Sequence, residues 1–484
     1  MKRPLGTTTA LAALLAAGLT PLVLAGPASA APSGLQGDFN GDGYRDVAIS
    51  ASDTTVNGKT YAGQVAVVYG SASGLNPTTR TVISQNTAGI PDTAEKGDQF
   101  GEQLATADLN RDGYSDLVVG ARHEDAGSKK DSGTVVIVWG SKSGLSGGTT
   151  VKNPAPQYGS YFGMSVAAAD FTGDGKPDLA ISAQSSSGSP TDRIRLVRGP
   201  FTKSGSTGAV TSYSPGVDRP SLTAGRVDKN AKADLVVTGL QPDGDRLAAA
   251  VYYKGTSSGL SKGAKLRAGT TAAIGDLDKD GYGDIVIGNP LDDDVDPSGS
   301  RGGEISVIYG TSSGPSADRR TTLTQNSSGV PDSSEHIDQF GAAVAVGDLD
   351  KDGYADLAVG APGESFGDDT HYISSAGTIT LLRGSSSGVA RTGAVLLTQD
   401  SPGVPGDLEA LDAFGATLLA SDVDGDGHAD LTAIAAQENE AGAAWHLPGA
   451  KDALYSTTGS QSFGPTGVGL STNQHGAFGS DLAG

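Results

Sequence analysis

Cysteine is absent from all 484 residues, which excludes disulfide bridges and thiolate-held zinc or iron–sulfur centres together. Basic residues are scarce: 34 lysines and arginines stand against 55 aspartates and glutamates, a formal charge of −21. A surface that acidic repels phosphate backbones and anionic headgroups, so no nucleic-acid partner is expected. Aromatic residues reach only 5% and apolar residues 37%, leaner than an average globular domain yet too apolar and too patterned for a disordered chain. Past the first thirty residues there is no apolar run long enough to span a bilayer. What the chain does have is glycine, 72 of them, and aspartate at regular spacing.

The first thirty residues read as an export signal. Lys2 and Arg3 supply the charged start, Ala10 to Leu19 the apolar stretch, and Ala28-Ser29-Ala30 the small-residue cleavage site. A membrane anchor fits worse, because Pro21 and Gly26 interrupt a stretch that is already short for spanning. Residues 1–30 are therefore expected to be a secretory leader and residues 31–484 a secreted, extracellular protein.

The mature chain is built on an internal repeat. An acidic nonapeptide of the form Asp38-Phe-Asn40-Gly-Asp42-Gly43-Tyr44-Arg-Asp46 recurs at Asp108–Asp116, Asp170–Asp178, Asp276–Asp284, Asp348–Asp356 and Asp422–Asp430. A worn copy runs from Arg226 to Asp234, where Asp228, Asn230 and Asp234 keep their places. Successive copies start between 50 and 74 residues apart. One small supersecondary unit is repeated seven times.

Each intact nonapeptide has the composition of a calcium loop, because a hard cation needs several oxygens converging at about 2.3–2.6 Å. Side chains at positions 1, 3, 5 and 9 can converge, helped by the carbonyl of position 7. The first loop would use Asp38, Asn40, Asp42 and Asp46 with Tyr44, and the second Asp108, Asn110, Asp112 and Asp116 with Tyr114. The third would use Asp170, Thr172, Asp174 and Asp178 with Lys176. In the fifth the set is Asp276, Asp278, Asp280 and Asp284 with Tyr282, and in the sixth Asp348, Asp350, Asp352 and Asp356 with Tyr354. The seventh would use Asp422, Asp424, Asp426 and Asp430 with His428. About six calcium ions are expected. The bland alternative, an Asp/Gly surface turn, explains one copy far better than six with fixed spacing.

The twelfth position distinguishes kinds of calcium loop, since a helix–loop–helix site needs a bidentate glutamate there. This chain has Ile49, Val119, Ile181, Ile287, Val359 and Ala433, and the segments flanking the loops, such as Asp356-Leu-Ala-Val-Gly360, are short β-rich runs. The loops are expected to join strands. Around them each unit reads as four strands: a Phe-Gly segment before the loop, the run after it, a third such as Gly133–Gly140, and a fourth such as Arg80–Ser84. Four strands per unit, seven units and radial stacking describe an all-β, seven-bladed propeller. The first loop has no Phe-Gly strand before it, and the chain ends in Phe478-Gly479-Ser-Asp-Leu-Ala-Gly484, a Phe-Gly strand with no loop after it. The C-terminal strand is expected to complete the first blade and close the ring.

Phe-Gly, the acidic loop, and Gly360-Ala361-Pro362 after it are similar to the FG-GAP repeats of the integrin α-chain propeller and of related secreted bacterial proteins. The resemblance covers essentially the whole mature chain. It implies seven blades, calcium in the strand-joining loops of one face, and partners received on the opposite face and its connecting loops. The fourth copy departs most, with Arg226 at position 1, Ala231 at position 6 and Lys232 at position 7. An ion pair of Arg226 with Asp228 or Asp234 is expected to replace the ion, unless the loop is simply decayed and its charges solvated.

Two functional classes remain. The first is a recognition or adhesion module for an extracellular protein or carbohydrate, expected to be a monomer. Its surface would draw on connectors that share a Gly-(Ile/Val)-Pro core, 85–99, 325–339 and 399–413. The second is an extracellular hydrolase or lyase acting on polysaccharide, lipid or ester with paired carboxylates, and two metal-free carboxyls of raised pKa in one pocket would favour it. The G-x-S-x-G matches at Gly255, Gly310 and Gly384 recur at one place in the repeat, with no helix after them, and read as hairpin turns. The six histidines share no repeat position and read as surface residues. Phospholipases that cleave glycosylphosphatidylinositol carry similar repeats beside a separate catalytic domain, of which no counterpart is expected here.

Overall fold

The computed structural model describes residues 33–184, 193–242, 247–368, 370–451, 453–471 and 478–484. The leader, residues 1–30, and His475 lie outside them. Seven four-stranded antiparallel sheets follow one another along the chain. Blade two shows the plan: Gln103–Ala107 innermost, then Asp116–Ala121, Thr134–Trp139 and Ser146–Val151 at the outer edge. Blade three starts at Val166–Ala169, blade four at Asp218–Gly225, blade five at Thr271–Gly275, blade six at Ala343–Gly347 and blade seven at Phe414–Ser421. Blade six carries a small extra hairpin, Phe366–Asp368 against His371–Ile373. Only two short 3-10 turns, Glu438–Glu440 and Pro465–Val468, depart from the all-β pattern among the described residues, and none of their helices is long and apolar enough to cross a membrane.

The strands differ because their surroundings do. Asp116–Ala121, Asp178–Ala183, Asp284–Asn289, Asp356–Ala361 and Asp430–Ala435 are buried along their whole length. These second strands are covered by neighbouring blades on both faces, which is why they read as continuous apolar runs rather than alternating ones. Outer strands such as Asn76–Ile83 and Gly314–Leu323 are largely exposed and carry Arg80, Arg319 and Arg320, charges that discourage edge-to-edge pairing.

The Phe-Gly motif is an inter-blade contact. Phe100, Phe162, Phe340 and Phe414 are fully buried, and each glycine that follows lets two blades approach. A Cβ on Gly120 of blade two would stand 2.4 Å from the Gly163 carbonyl oxygen of blade three, and one on Gly360 would stand 2.0 Å from that of Gly415. Only glycine fits so close an approach.

Ring closure follows the expected route. Phe478–Ala483 pairs with Val47–Ala51 through Ala48↔Ala483, Ile49↔Leu482 and Ala51↔Phe478, completing blade one. Ile434, Ala444 and Phe463 of blade seven pack in one apolar cluster with Val47, Ile49, Phe478 and Leu482 of blade one. The seven innermost strands line a central cavity of about 540 Å³. Antiparallel succession then sets two faces. Nonapeptide loops and third-to-fourth-strand turns lie on one, and second-to-third-strand hairpins with the blade connectors on the other.

Candidate metal centre

In each nonapeptide the chain is wound by its own carboxylates. Position 1 closes the turn: Asp38 accepts from the amides of Gly41 at 2.6 Å and Gly43 at 2.8 Å, Asp276 from Asp280 at 3.1 Å and Gly281 at 2.8 Å, and Asp348 from Asp352 at 3.1 Å and Gly353 at 2.9 Å. Asp108, Asp170 and Asp422 likewise take the amides of Gly113, Gly175 and Gly427. Position 3 holds position 5, as Asn40 accepts from Asp42, Asn110 from Asp112 and Asp424 from Asp426. Position 5 holds position 7 through the amides of Tyr44, Tyr114, Lys176, Tyr282, Tyr354 and His428. Thr172 breaks the pattern, its hydroxyl buried without a partner.

Position 9 ties the loop to its blade. One oxygen of Asp46 accepts from Phe39 at 2.8 Å, and the other from Gly70, just past the third strand, at 3.0 Å. Asp116, Asp284, Asp356 and Asp430 repeat both bonds with their own residues. Each oxygen keeps a lone pair for a cation. Three carboxylate oxygens from positions 1, 3 and 9 lie within 4.8 Å of one another at Asp276, Asp278 and Asp284 and again at Asp348, Asp350 and Asp356. Ligands 2.3–2.6 Å from one ion can be at most about 5 Å apart, so this spread suits calcium. Burial first, then the neighbouring aspartates, pushes the position 9 carboxyls up: Asp46 to about 8 and Asp116, Asp284, Asp356 and Asp430 to about 7. A divalent cation in the ring would reverse that repulsion.

The worn loop keeps the winding without the acidic ring. Asp228 accepts from Asn230 at 3.2 Å, Asn230 from Lys232 at 2.7 Å, and Asp234 from Val227 at 3.0 Å and Gly255 at 2.9 Å. The expected ion pair through Arg226 is not formed. Asp228 is paired instead with Lys254, which projects from the third strand, Ala248–Thr256, while the Arg226 carbonyl accepts from Gly283. Basic residues also meet position 3 elsewhere, Arg319 at Asp278 and Arg383 at Asp350.

A second feature escaped the sequence reading. Lys229, Lys279 and Lys351, all at position 4, donate to the position 5 carbonyls of the next loops, Asp280, Asp352 and Asp426. Lys229 and Lys279 also sit over the rings of Tyr282 and Tyr354, 4.2 and 5.1 Å from their centres. Four consecutive loops are thereby linked. The signal was available, since lysine occupies position 4 in three copies running.

The G-x-S-x-G segments are third-to-fourth-strand turns, in which the Thr256, Thr311 and Ser385 hydroxyls bond the carbonyls of Gly259, Gly314 and Gly388, each at 2.7 Å. Strands follow them, not helices. The histidines need one correction: His446 is buried in the third strand of blade seven, and burial lowers its pKa to about 4. His123 is half-buried, bonded to Asp131 at 2.9 Å and edge-on to Tyr161.

Six stretches of the chain, residues 30–68, 100–138, 162–213, 268–308, 340–382 and 414–447, match the profile described as FG-GAP repeat. They make up just over half of the chain and pass over Arg226–Asp234. Rat integrin alpha-7 is 31% identical over 248 residues, 50% of this chain and 19% of its own length. Integrin alpha pat-2 of Caenorhabditis elegans is 29% identical over 268 residues, 54% of this chain and 18% of its own. Rat phosphatidylinositol-glycan-specific phospholipase D is 30% identical over 192 residues, 40% of this chain and 21% of its own. The chain therefore spans only a minor part of these relatives.

Proposed function

The chain belongs to the FG-GAP repeat family, and on that premise we propose that it is a secreted, calcium-stapled propeller that recognises an extracellular protein or carbohydrate. The observation that carries the metal reading is the convergence of position 1, 3 and 9 oxygens in loops whose backbone is already wound to receive an ion. The relatives named integrin favour a protein ligand. Calcium also answers a stability need, since no disulfide is available. With a dissociation constant near 0.1 mM in about 1 mM calcium, mass action gives roughly 1.4 kcal/mol per site and on the order of 8 kcal/mol for six. Scanning calorimetry in calcium and in chelator tests this. A melting temperature that falls by many degrees on chelation supports the staple, and an unchanged one rejects it.

One observation speaks for the hydrolase or lyase reading. Paired carboxyls of raised pKa do occur, with Asp98 pushed up to about 6 and Glu124 to about 8, in each case chiefly by burial. Against a catalytic role, both are almost wholly buried, and the same pairing recurs at Asp338 and Glu364. A single active site needs neither burial from substrate nor repetition. A screen on polysaccharides and esters beside a glycan and protein binding array separates the two readings: turnover abolished by Glu124→Gln would favour the enzyme, and saturable binding without turnover the recognition module.

A further inference from the structure

On the connecting face the same glutamine–glutamate pairing is built three times, independently of the nonapeptide loops. Three of the blade connectors begin with a glutamine whose amide nitrogen donates to a glutamate 39 residues later, just past a second strand: Gln85 to Glu124, Gln325 to Glu364 at 2.6 Å and Gln399 to Glu438 at 2.7 Å. The connector then returns acidic residues to that glutamate. In blade six the oxygens of Asp332, Glu335 and Glu364 lie within 4.8 Å of one another, and in blade seven those of Glu409, Asp412 and Glu438 do. In blade two the connector carries Asp92, Glu95 and Asp98 at the matching positions, and Asp98 accepts from the amide of Glu95 at 2.6 Å.

The three glutamines are 1% exposed, and in all three the amide oxygen Oε1 is buried without a partner; so is Oδ2 of Asp412. A buried carbonyl-type oxygen with nothing to accept is costly, and here the same cost is repeated threefold beside the same carboxylates. Exchanging the two ends of the amide, which one turn of its terminal bond does, would put Oε1 among the carboxylate oxygens. Blade five provides an internal contrast. Asp292 stands where the glutamates stand, but no glutamine faces it. Its two oxygens accept from the amides of Gly302 at 2.7 Å and Ile337 at 3.1 Å, and it converges with Asp294 and His336 rather than with connector carboxylates alone.

We propose that the connecting face holds three further divalent-cation sites of the calcium class, one at the entry to each of blades two, six and seven. Each is built from the glutamine Oε1, the hairpin glutamate and the connector carboxylates. The donors are all hard oxygens and several are anionic, the set calcium prefers. An ion at each site would clamp the connector to its hairpin and set the shape of the face on which partners are expected.

The rival arrangement is a proton: a neutral glutamic acid could donate to Oε1 and accept from Nε2. The two differ in what calcium does. The full chain and its triple variant Glu124→Gln, Glu364→Gln, Glu438→Gln are titrated with calcium chloride by calorimetry and melted with and without chelator. The cation reading expects the variant to bind three fewer ions, to melt higher than the parent in chelator because three crowded acids are gone, and to gain less from calcium. Equal ion counts and equal calcium-dependent gains overturn it. Should the variant not fold, calcium anomalous scattering from crystals of the parent chain decides: peaks between Gln325 and Glu364 and between Gln399 and Glu438 support the sites, and occupied nonapeptide loops with no such peaks refute them. Peaks on the connecting face with empty nonapeptide loops would sink the loop reading and leave this one standing.

Discussion

The loop of blade four and its six acidic counterparts have the same winding but not the same charge. Asp234 makes the two backbone bonds that Asp46 and Asp356 make, and positions 3 and 5 still hold their neighbours. Yet position 1 is Arg226 and position 5 is Asn230, whereas the pairing of position 3 with a basic residue, Asp228 with Lys254, is shared with Asp278 and Asp350. The comparison separates two jobs that the nonapeptide performs together elsewhere. Position 9 fastens the loop to its blade whatever the loop contains, whereas position 1, whose oxygens converge with those of positions 3 and 9 at Asp276 and Asp348, supplies charge that the worn copy lacks.

The largest expected effect is on the pH dependence of the calcium-free protein. Position 9 carboxyls are raised in the fold, to about 7 in four loops and about 8 at Asp46, against an unfolded value near 3.8. A raised folded pKa contributes stability that is fully present below the unfolded value and is lost as pH rises through the folded one. In chelator the melting temperature should therefore fall between pH 5 and pH 8. Calcium should flatten or reverse the slope, and a calcium-free melting temperature that rises over that interval would break the electrostatic part of the comparison.

Next in size are the position 9 truncations. Asp234→Ala leaves the amides of Val227 and Gly255 without an acceptor and should cost about 2–4 kcal/mol, the same in calcium and in chelator. Asp356→Ala should cost as much in chelator and more in calcium. Denaturant melts of both variants check this, and any calcium dependence of the Asp234→Ala penalty would place an ion where none is expected. A smaller effect belongs to position 1. Asp348→Asn should lose one ion and about 1.4 kcal/mol in about 1 mM calcium, on top of a smaller calcium-independent penalty, because asparagine can accept only one of the two amide bonds that Asp348 takes from Asp352 and Gly353. The converse change, Arg226→Asp with Ala231→Gly and Lys254→Met, should add one ion to the calorimetric count. The smallest belongs to the links between loops: Lys279→Met removes one hydrogen bond and a ring contact and should cost under about 1 kcal/mol, with the ion count unchanged.

Much of this architecture was legible because the repeat is written in short-range spacing. Phe-Gly, the nonapeptide and the apolar run after it sit within one stretch, so counting them yields the blades, and the orphan strand at Phe478 yields the closure. What stayed hidden depends on partners brought together by the fold. Arg226 looked like the substitute cation because it adjoins Asp228, but Lys254, on the third strand, is the one that arrives. The lysine links cross from one blade to the next. The glutamine–glutamate pairs lie 39 residues apart, a constant spacing visible only once the pairing is known. His446 read as a surface residue because it shares no repeat position with the other histidines, whereas pairing with Thr432 and Gln461 places it in the buried third strand of blade seven.

Calcium anomalous scattering from crystals grown in calcium tests the central claim most directly, because it counts and places the ions in every loop at once. The account predicts a peak among Asp38, Asn40, Asp42 and Asp46 and in each of the five matching loops, with none at Arg226–Asp234. Empty acidic loops, or an ion held beside Arg226, would contradict it.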